Sequence, residues 1–399
     1  MNKDGKQRLF EMMERVSKMP TNLNEIYFSQ ENLDEVDVEK DWNDMSHQCW
    51  DIDKLKDYLN YILDNYAKPS HKRDKPSLII HNKVIKKTDE NEIDVQDFIN
   101  QIITEPPNII TKGNTKMMKS STDEFYSVTI GLPAFRGIVY DIEHNRFIVV
   151  NTCPGAGRCV APCYARKGNY VRLPSVFLKQ TRILNLLLND PKKFKTKLKA
   201  EINEIGISKY FNGKEMRFRF NDSGDFFTKK YFEIGKEIIN ELKAEGFQII
   251  PYAHTKIGDI YNINRISDKF TENRPDFIIN FSVDANKKER EKVDLSGAKT
   301  SEIVDSTVFK DLFKRNDGIH YNIGEDGKMI FVNPEAENEL KNRIAKKFNV
   351  DINTLLTHDE MMNTPVADQK LYNVIVQAKG ETDISAQRPD VLRTFFLKH

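Results

Sequence analysis

The sequence predicts an α/β fold in which strand–helix units build a parallel sheet or a partial (β/α) barrel. Three observations carry this. From about residue 125 onward, short β-rich runs alternate with helical stretches. The strands EMRFRFND (215–222), FQIIPYAHT (247–255) and DFIINFSVDA (276–285) are each followed by a helix-like segment. That alternation is the signature of parallel strands joined by crossovers. About four to five units can be counted, fewer than the eight of a closed barrel.

Ahead of this region, residues 1–120 form a polar, mostly helical extension. DIDKLKDYLNYILDNY (51–66) predicts an amphipathic helix, with Leu55, Leu59 and Leu63 repeating every four residues. KPSHKRDKP reads as a linker, VQDFINQIIT as a second helix closed by Pro106 and Pro107, and KGNTKMMKSSTDE (112–124) as a solvated loop. The central unit, 121–335, begins with FYSVTIGLPAF (125–135) and GIVYDIEHNRFIVVNT (137–152), the latter turning at His144–Asn145. LPSVFLKQTRILNLLLND and PKKFKTKLKAEINEIG are helical. In 226–246, Phe227, Tyr231, Ile234, Ile238 and Leu242 form one stripe that stops at a C-capping Gly246. A helix over 302–315 and the hairpin IHYNIGEDGKMIFVNP close the unit. Residues 336–399 form a C-terminal α/β appendage that opens with a charged helix at 334–348.

Composition narrows the function classes. The 61 basic and 60 acidic residues leave a net charge of +1, which gives no global drive toward nucleic acid or an anionic membrane. No apolar run reaches the roughly 20 residues that span a bilayer. The charged N-terminus MNKDGKQRLFEMMERV lacks a secretory core, so a cytosolic location is expected. The sequence holds no phosphate-cradling loop, no HExxH and no G-x-S-x-G, so hydrolase readings have no support.

The chemistry concentrates in NTCPGAGRCVAPCYARKGNYVR (151–172), which holds three of the four cysteines. Cys153, Cys159 and Cys163 are spaced C-x5-C-x3-C, and Pro154, Gly155, Gly157 and Pro162 supply the bends that turn three thiols toward one point. Clustered cysteines in a cytosolic chain point to metal rather than to a disulfide framework. Thiolates select zinc, cuprous copper or an iron–sulfur cluster. Structural zinc wants a fourth ligand, for which Cys49 and His254 are the candidates. Three cysteines on a [4Fe–4S] cluster instead leave one iron open to a substrate or cofactor.

At this loop the chain resembles the phage "gene product eighty-eight" family, whose T-C-P-G-A-x-x-C-x-x-x-C-Y-A motif is matched by TCPGAGRCVAPCYA (152–165), with IGLPA (130–134) ahead of it. More remotely it is similar to radical S-adenosylmethionine (SAM) enzymes, in which a partial barrel carries a three-cysteine loop. The resemblance covers about residues 125–335. It implies a radical-SAM-type partial barrel holding a [4Fe–4S] cluster and SAM. An electron donor would then drive SAM cleavage to a 5′-deoxyadenosyl radical acting on an unknown substrate. Ser223, Gly224 and Asp225 would hold the methionyl end. Ser282 and Asp284, with Asn280 on the same strand face, would hold the ribose. The cysteine spacing departs from the C-x3-C-x2-C of those enzymes, and Tyr164 follows the third cysteine where they carry an aromatic before it.

Plainer roles exist for the same residues. Ser223 or Asp225 could cap helix 226–246, and Ser282 and Asp284 could satisfy a strand-to-loop turn. Arg219 and Asn221 suit either an inward polar face or a solvated edge strand. His254 and Lys256 sit at a strand end and Arg166 and Lys167 just past the loop, where surface charge explains them equally. The alternative function is a non-enzymatic phage accessory protein with a structural zinc or iron–sulfur site.

Overall fold

The structure is a computed structural model that describes residues 48–66, 76–111, 121, 125–207, 214–264, 277–305, 308–309, 321–323, 329–331, 334–366, 370–377 and 383–397. Most of the 68–76 linker, nearly all of the 112–124 loop and most of the helix expected at 302–315 lie outside these residues. The strands, in chain order, are β1 (Gln48–Trp50), β2 (Phe125–Thr129), β3 (Arg136–Asp141), β4 (Arg146–Asn151), β5 (Glu215–Phe220), β6 (Ile249–Thr255), β7 (Ile278–Ser282), β8 (Thr300–Val304), β9 (Tyr321–Ile323), β10 (Met329–Phe331), β11 (Leu355–Thr357), β12 (Tyr372–Gln377) and β13 (Val391–Leu397).

The main sheet has eight strands in the order β11-β12-β13-β8-β7-β6-β5-β2. Every neighbouring pair in it is parallel. Parallel neighbours need crossovers, and helices supply them: Pro174–Asn189 and Pro191–Ile207 before β5, Lys229–Ala244 before β6, Gly258–Asn264 before β7 and Lys287–Glu291 before β8. Strands β2, β5, β6, β7 and β8 lie side by side in chain order, as successive strand–helix units do. Among the described residues, β2 and β11 are the edges of the sheet. The finding is a mixed α/β fold on a large parallel sheet of eight strands.

The two faces of this sheet differ in chemistry. Phe218, Phe220, Ala253, Ile279 and Phe281 join the largest apolar core together with Tyr231, Phe232, Ile238 and Leu242 of the crossover helix. The other face follows from the register. Thr129 pairs with Arg219 and Arg219 with Tyr252; His254 pairs with Asn280, Ser282 with Ser301, and Ser301 with Thr394. Parallel partners project to the same side, so this face is a band of polar side chains.

Two expectations are corrected. Residues 302–304, expected to begin a helix, belong instead to strand β8, which fills the slot between β7 and β13. Helix Lys229–Ala244 is capped by Thr228, whose Oγ1 accepts from the Tyr231 N–H at 3.1 Å, so neither Ser223 nor Asp225 serves as its cap. Its expected stripe is buried, and Gly246 closes it with φ +91°.

A separate antiparallel sheet, β1-β4-β3, packs on the N-terminal helices. Trp50, Leu55, Leu59, Ile62, Phe98 and Ile102 form a second core with Ile138, Phe147 and Val149 of the β3–β4 hairpin. Asn145 takes the hairpin turn at φ +48°. Strands β9 and β10 pair as an antiparallel hairpin, as the sequence predicts. Residues beyond 335 form helix Pro334–Phe348 and then strands β11, β12 and β13, so the main sheet runs across residue 335. Among the described residues, no helix is long and apolar enough to cross a membrane.

Candidate functional site at the carboxyl edge of the sheet

The cysteine loop leaves β4 and crosses the carboxyl ends of β6 and β7. Its start is fixed by the Thr152 hydroxyl, which donates to the Pro133 carbonyl at 2.6 Å, and by Asn151 Oδ1, which accepts from the Cys153 N–H at 3.1 Å. Two glycines let it lie flat. A Cβ at Gly155 would sit 2.2 Å from the Lys256 carbonyl oxygen, and one at Gly157 would sit 2.7 Å from the Ala285 backbone. Backbone contact replaces those side chains: Ala156 bridges Ala285, and the Asn286 N–H donates to the Gly155 carbonyl at 2.9 Å. Asn286 Nδ2 adds a bond to the Pro154 carbonyl at 3.2 Å.

Cys153, Cys159 and Cys163 each lie near enough to the Lys256 side chain to act on its charge. Burial pulls the lysine pKa down, but the fields of Cys159, Asp225, Cys153 and Cys163 together outweigh it and hold the ammonium above its ordinary range. Cys153 Sγ accepts from the Phe135 N–H at 3.3 Å. Burial, helped by Asp225, pushes the Cys153 thiol up to about 12, and burial also raises Cys159. Among the described residues, no group of three His, Cys, Asp or Glu side chains is arranged to hold a metal ion. Neither expected fourth ligand faces the loop cysteines. Cys49 is exposed on β1, paired with Ile148. His254 Nδ1 lies 3.2 Å from Ser301 Oγ, on the polar sheet face.

The Ser223–Gly224–Asp225 turn lies against Ile130–Leu132. The Asp222 N–H donates to the Ile130 carbonyl at 3.0 Å and the Leu132 N–H to the Ser223 carbonyl at 2.9 Å. Gly224 has φ +81°, and a Cβ there would meet Leu132 Cβ at 2.9 Å, so glycine is required twice over. Asp225 is buried and engaged inside the protein. Its Oδ1 accepts from the Thr255 hydroxyl at 2.7 Å and from the Phe226 N–H at 2.7 Å, while Oδ2 accepts from the Lys256 N–H at 2.8 Å. Its own N–H donates to the Thr152 carbonyl at 2.9 Å. One residue thus ties β4, β5 and β6 together beneath the cysteines. The Ser223 hydroxyl is buried and has no hydrogen-bond partner among the described residues. Tyr164 donates to the Asp222 carbonyl, and Tyr170 to Asp222 Oδ2 at 3.2 Å, closing this side.

At the end of β7, Asp284 Oδ2 accepts from the Ile303 N–H at 2.7 Å, and Oδ1 lies 3.3 Å from the Arg158 guanidinium. Burial raises this carboxyl, against the Ile303 bond and the charges of Arg158 and Lys256. Ser282 is buried beside it, and Asn280, one pleat earlier, donates weakly to the Ala386 carbonyl at 3.5 Å. Arg219 faces inward rather than to solvent, and its guanidinium meets Asp383 Oδ2 at 2.6 Å. Asn221 is also buried and accepts from the Tyr231 hydroxyl at 2.9 Å. Arg166 turns from the cluster to the Pro76 carbonyl at 2.9 Å, and Lys167 is exposed.

Asp383 and Tyr252 went unnoticed in the sequence. Tyr252 was open to detection, since it shares a strand face with His254 by the two-residue period. Asp383 had no such signal.

A family model described as Gene product 88 matches residues 108–344 of the 399. No curated protein and no solved structure matches the chain.

Proposed function

The chain belongs to the gene product 88 family, a phage gene-product family, and from that premise we propose that it is an iron–sulfur protein. Cys153, Cys159 and Cys163 would hold a [4Fe–4S] cluster and leave one iron open. The observation that supports this is the C-x5-C-x3-C loop itself, whose glycines bring it onto the strand ends and whose three thiols all act on the Lys256 charge.

Three thiols are the donor type that iron–sulfur clusters take, and binding would draw them together, since among the described residues no three such groups are arranged around a metal position. Burial disfavours free thiolates here, and bound iron cations would supply the charge that offsets it. Lys256 would balance the residual negative charge, and the Phe135 N–H already directed at Cys153 is the kind of bond that tunes cluster sulfur. Four-coordinate structural zinc has weaker support, with Cys49 exposed on β1 and His254 engaged by Ser301.

When bound, such a cluster supplies one-electron chemistry and a chelatable iron. SAM as the chelating ligand is the finer form of the proposal. In it, the unpartnered Ser223 hydroxyl and the flat Gly224 backbone would receive the aminoacyl end. Asp225, with its oxygens engaged by Thr255, Phe226 and Lys256, would act as a positioning residue. Asn280 and Ser282 would offer polar contacts from β7, and Asp284 would fix Arg158 beside Cys159.

The test is anaerobic reconstitution of the full chain with iron and sulfide. A broad absorbance near roughly 400 nm supports the cluster, and 5′-deoxyadenosine formed from SAM plus reductant supports the finer form. A colourless protein carrying one zinc would contradict both.

A further inference from the structure

We propose that the inward polar face of the main sheet binds an uncharged small molecule by a planar amide-type edge, one that offers a carbonyl acceptor and an N–H donor together. Three side chains carry the inference. Arg219, Tyr252 and Asn280 are 7%, 0% and 0% exposed. They stand on adjacent strands, with Arg219 registered to Tyr252 and Asn280 registered to His254, two residues along β6. Arg219 Nε, the Tyr252 hydroxyl and Asn280 Oδ1 are all buried without a hydrogen-bond partner among the described residues. A single unpaired buried polar group costs about 1–3 kcal/mol. Three of them on one face mark a place that something polar fills.

Their chemistry says what fills it. A guanidinium Nε–H can only donate and an amide oxygen can only accept, whereas a phenol does either. The occupant must therefore present an acceptor and a donor at once. Charge narrows the choice further. Arg219 is already neutralised by Asp383 at 2.6 Å, so an anion would confront that carboxylate and a cation the guanidinium. Tyr252 and the edge-on pair of His254 and Phe396, 5.5 Å between centroids, give the face an aromatic border suited to a flat group. Nucleobases and carboxamides share this edge. The inference does not need the metal proposal: it uses no cysteine-loop residue and shares only Asn280 with the SAM form of that proposal.

The experiment measures binding of two probe panels to the full chain by ligand-observed saturation-transfer NMR. One panel is the four common ribonucleosides and the other is capped amino-acid amides, and the panel that binds identifies the source of the edge. Saturable binding by either is expected. Tyr252→Phe should weaken it about tenfold and leave the thermal midpoint of the ligand-free protein equal or higher, since the lost hydroxyl had no partner. Cys159→Ser should bind as the parent does. No saturable binding by either panel would overturn the proposal. So would unchanged affinity in Tyr252→Phe, or loss of binding in Cys159→Ser, which would assign the ligand to the cysteine loop.

Discussion

Two buried residues, Asp225 at the carboxyl edge and Lys299 just ahead of β8, show how much a single side chain can organise. Asp225 satisfies two backbone N–H groups and one hydroxyl from two segments. An Asn in its place must turn an N–H₂ group toward one of those donors and strand it. Asp225→Asn is expected to destabilise the fold by about 1–3 kcal/mol, read as a lowered urea midpoint at constant slope. Lys299 offers a pH-dependent counterpart. It is 1% exposed and donates to the Arg388 and Val391 carbonyls, and burial lowers its pKa from 10.5 to about 7. The unfolded chain therefore binds this proton more tightly than the folded one. The Lys299 contribution to stability is full above about pH 10.5, falls as pH drops toward 7, and is level below that. Denaturation midpoints measured across that window should fall less steeply for Lys299→Met than for the parent; parallel curves would contradict the assignment.

At the scale of elements, sequence patterning found most of the strand–helix units between residues 125 and 300 and misread β8 for a physical reason. Helix Lys229–Ala244 was legible because its apolar stripe repeats at helical spacing and a glycine ends it. Its start was not, because Ser223, Asp225 and Thr228 are all plausible caps and only geometry decides among them. Thr228→Ala should lower stability by about 1 kcal/mol, and Ser223→Ala should not lower it; equal losses on thermal unfolding would return the cap to Ser223. Strand β8 was misread as helix because Thr300–Val304 carries no clear two-residue alternation. Its identity comes from the slot between β7 and β13, a tertiary effect that local propensity does not report.

For the whole molecule, the large parallel sheet decides where chemistry can occur. Successive strand–helix units place their carboxyl ends along one edge, and ligand sites of such folds gather there. Ser223, Lys256 and Asp284 follow strands of this sheet; the cysteine spacing pointed to Cys153, and the family resemblance, helped by those strand ends, to Ser223 and Asp284. Asp383 could not be nominated in this way, because it belongs to the segment that reaches the polar face only once β12 and β13 have joined β8. The family match ends at residue 344, before those three C-terminal strands begin. They extend the sheet on the β8 side and bring Asp383 to Arg219.

The central claim is that three loop cysteines form one metal centre. Its most direct test is the metal and sulfide content of the anaerobically reconstituted chain beside its Cys153→Ala, Cys159→Ala and Cys163→Ala variants. The account predicts about four iron and four sulfide per parent chain, lost in each variant, with Cys49→Ala unchanged. Iron that persists in full after any one of the three loop substitutions, or a parent that binds none, would contradict it.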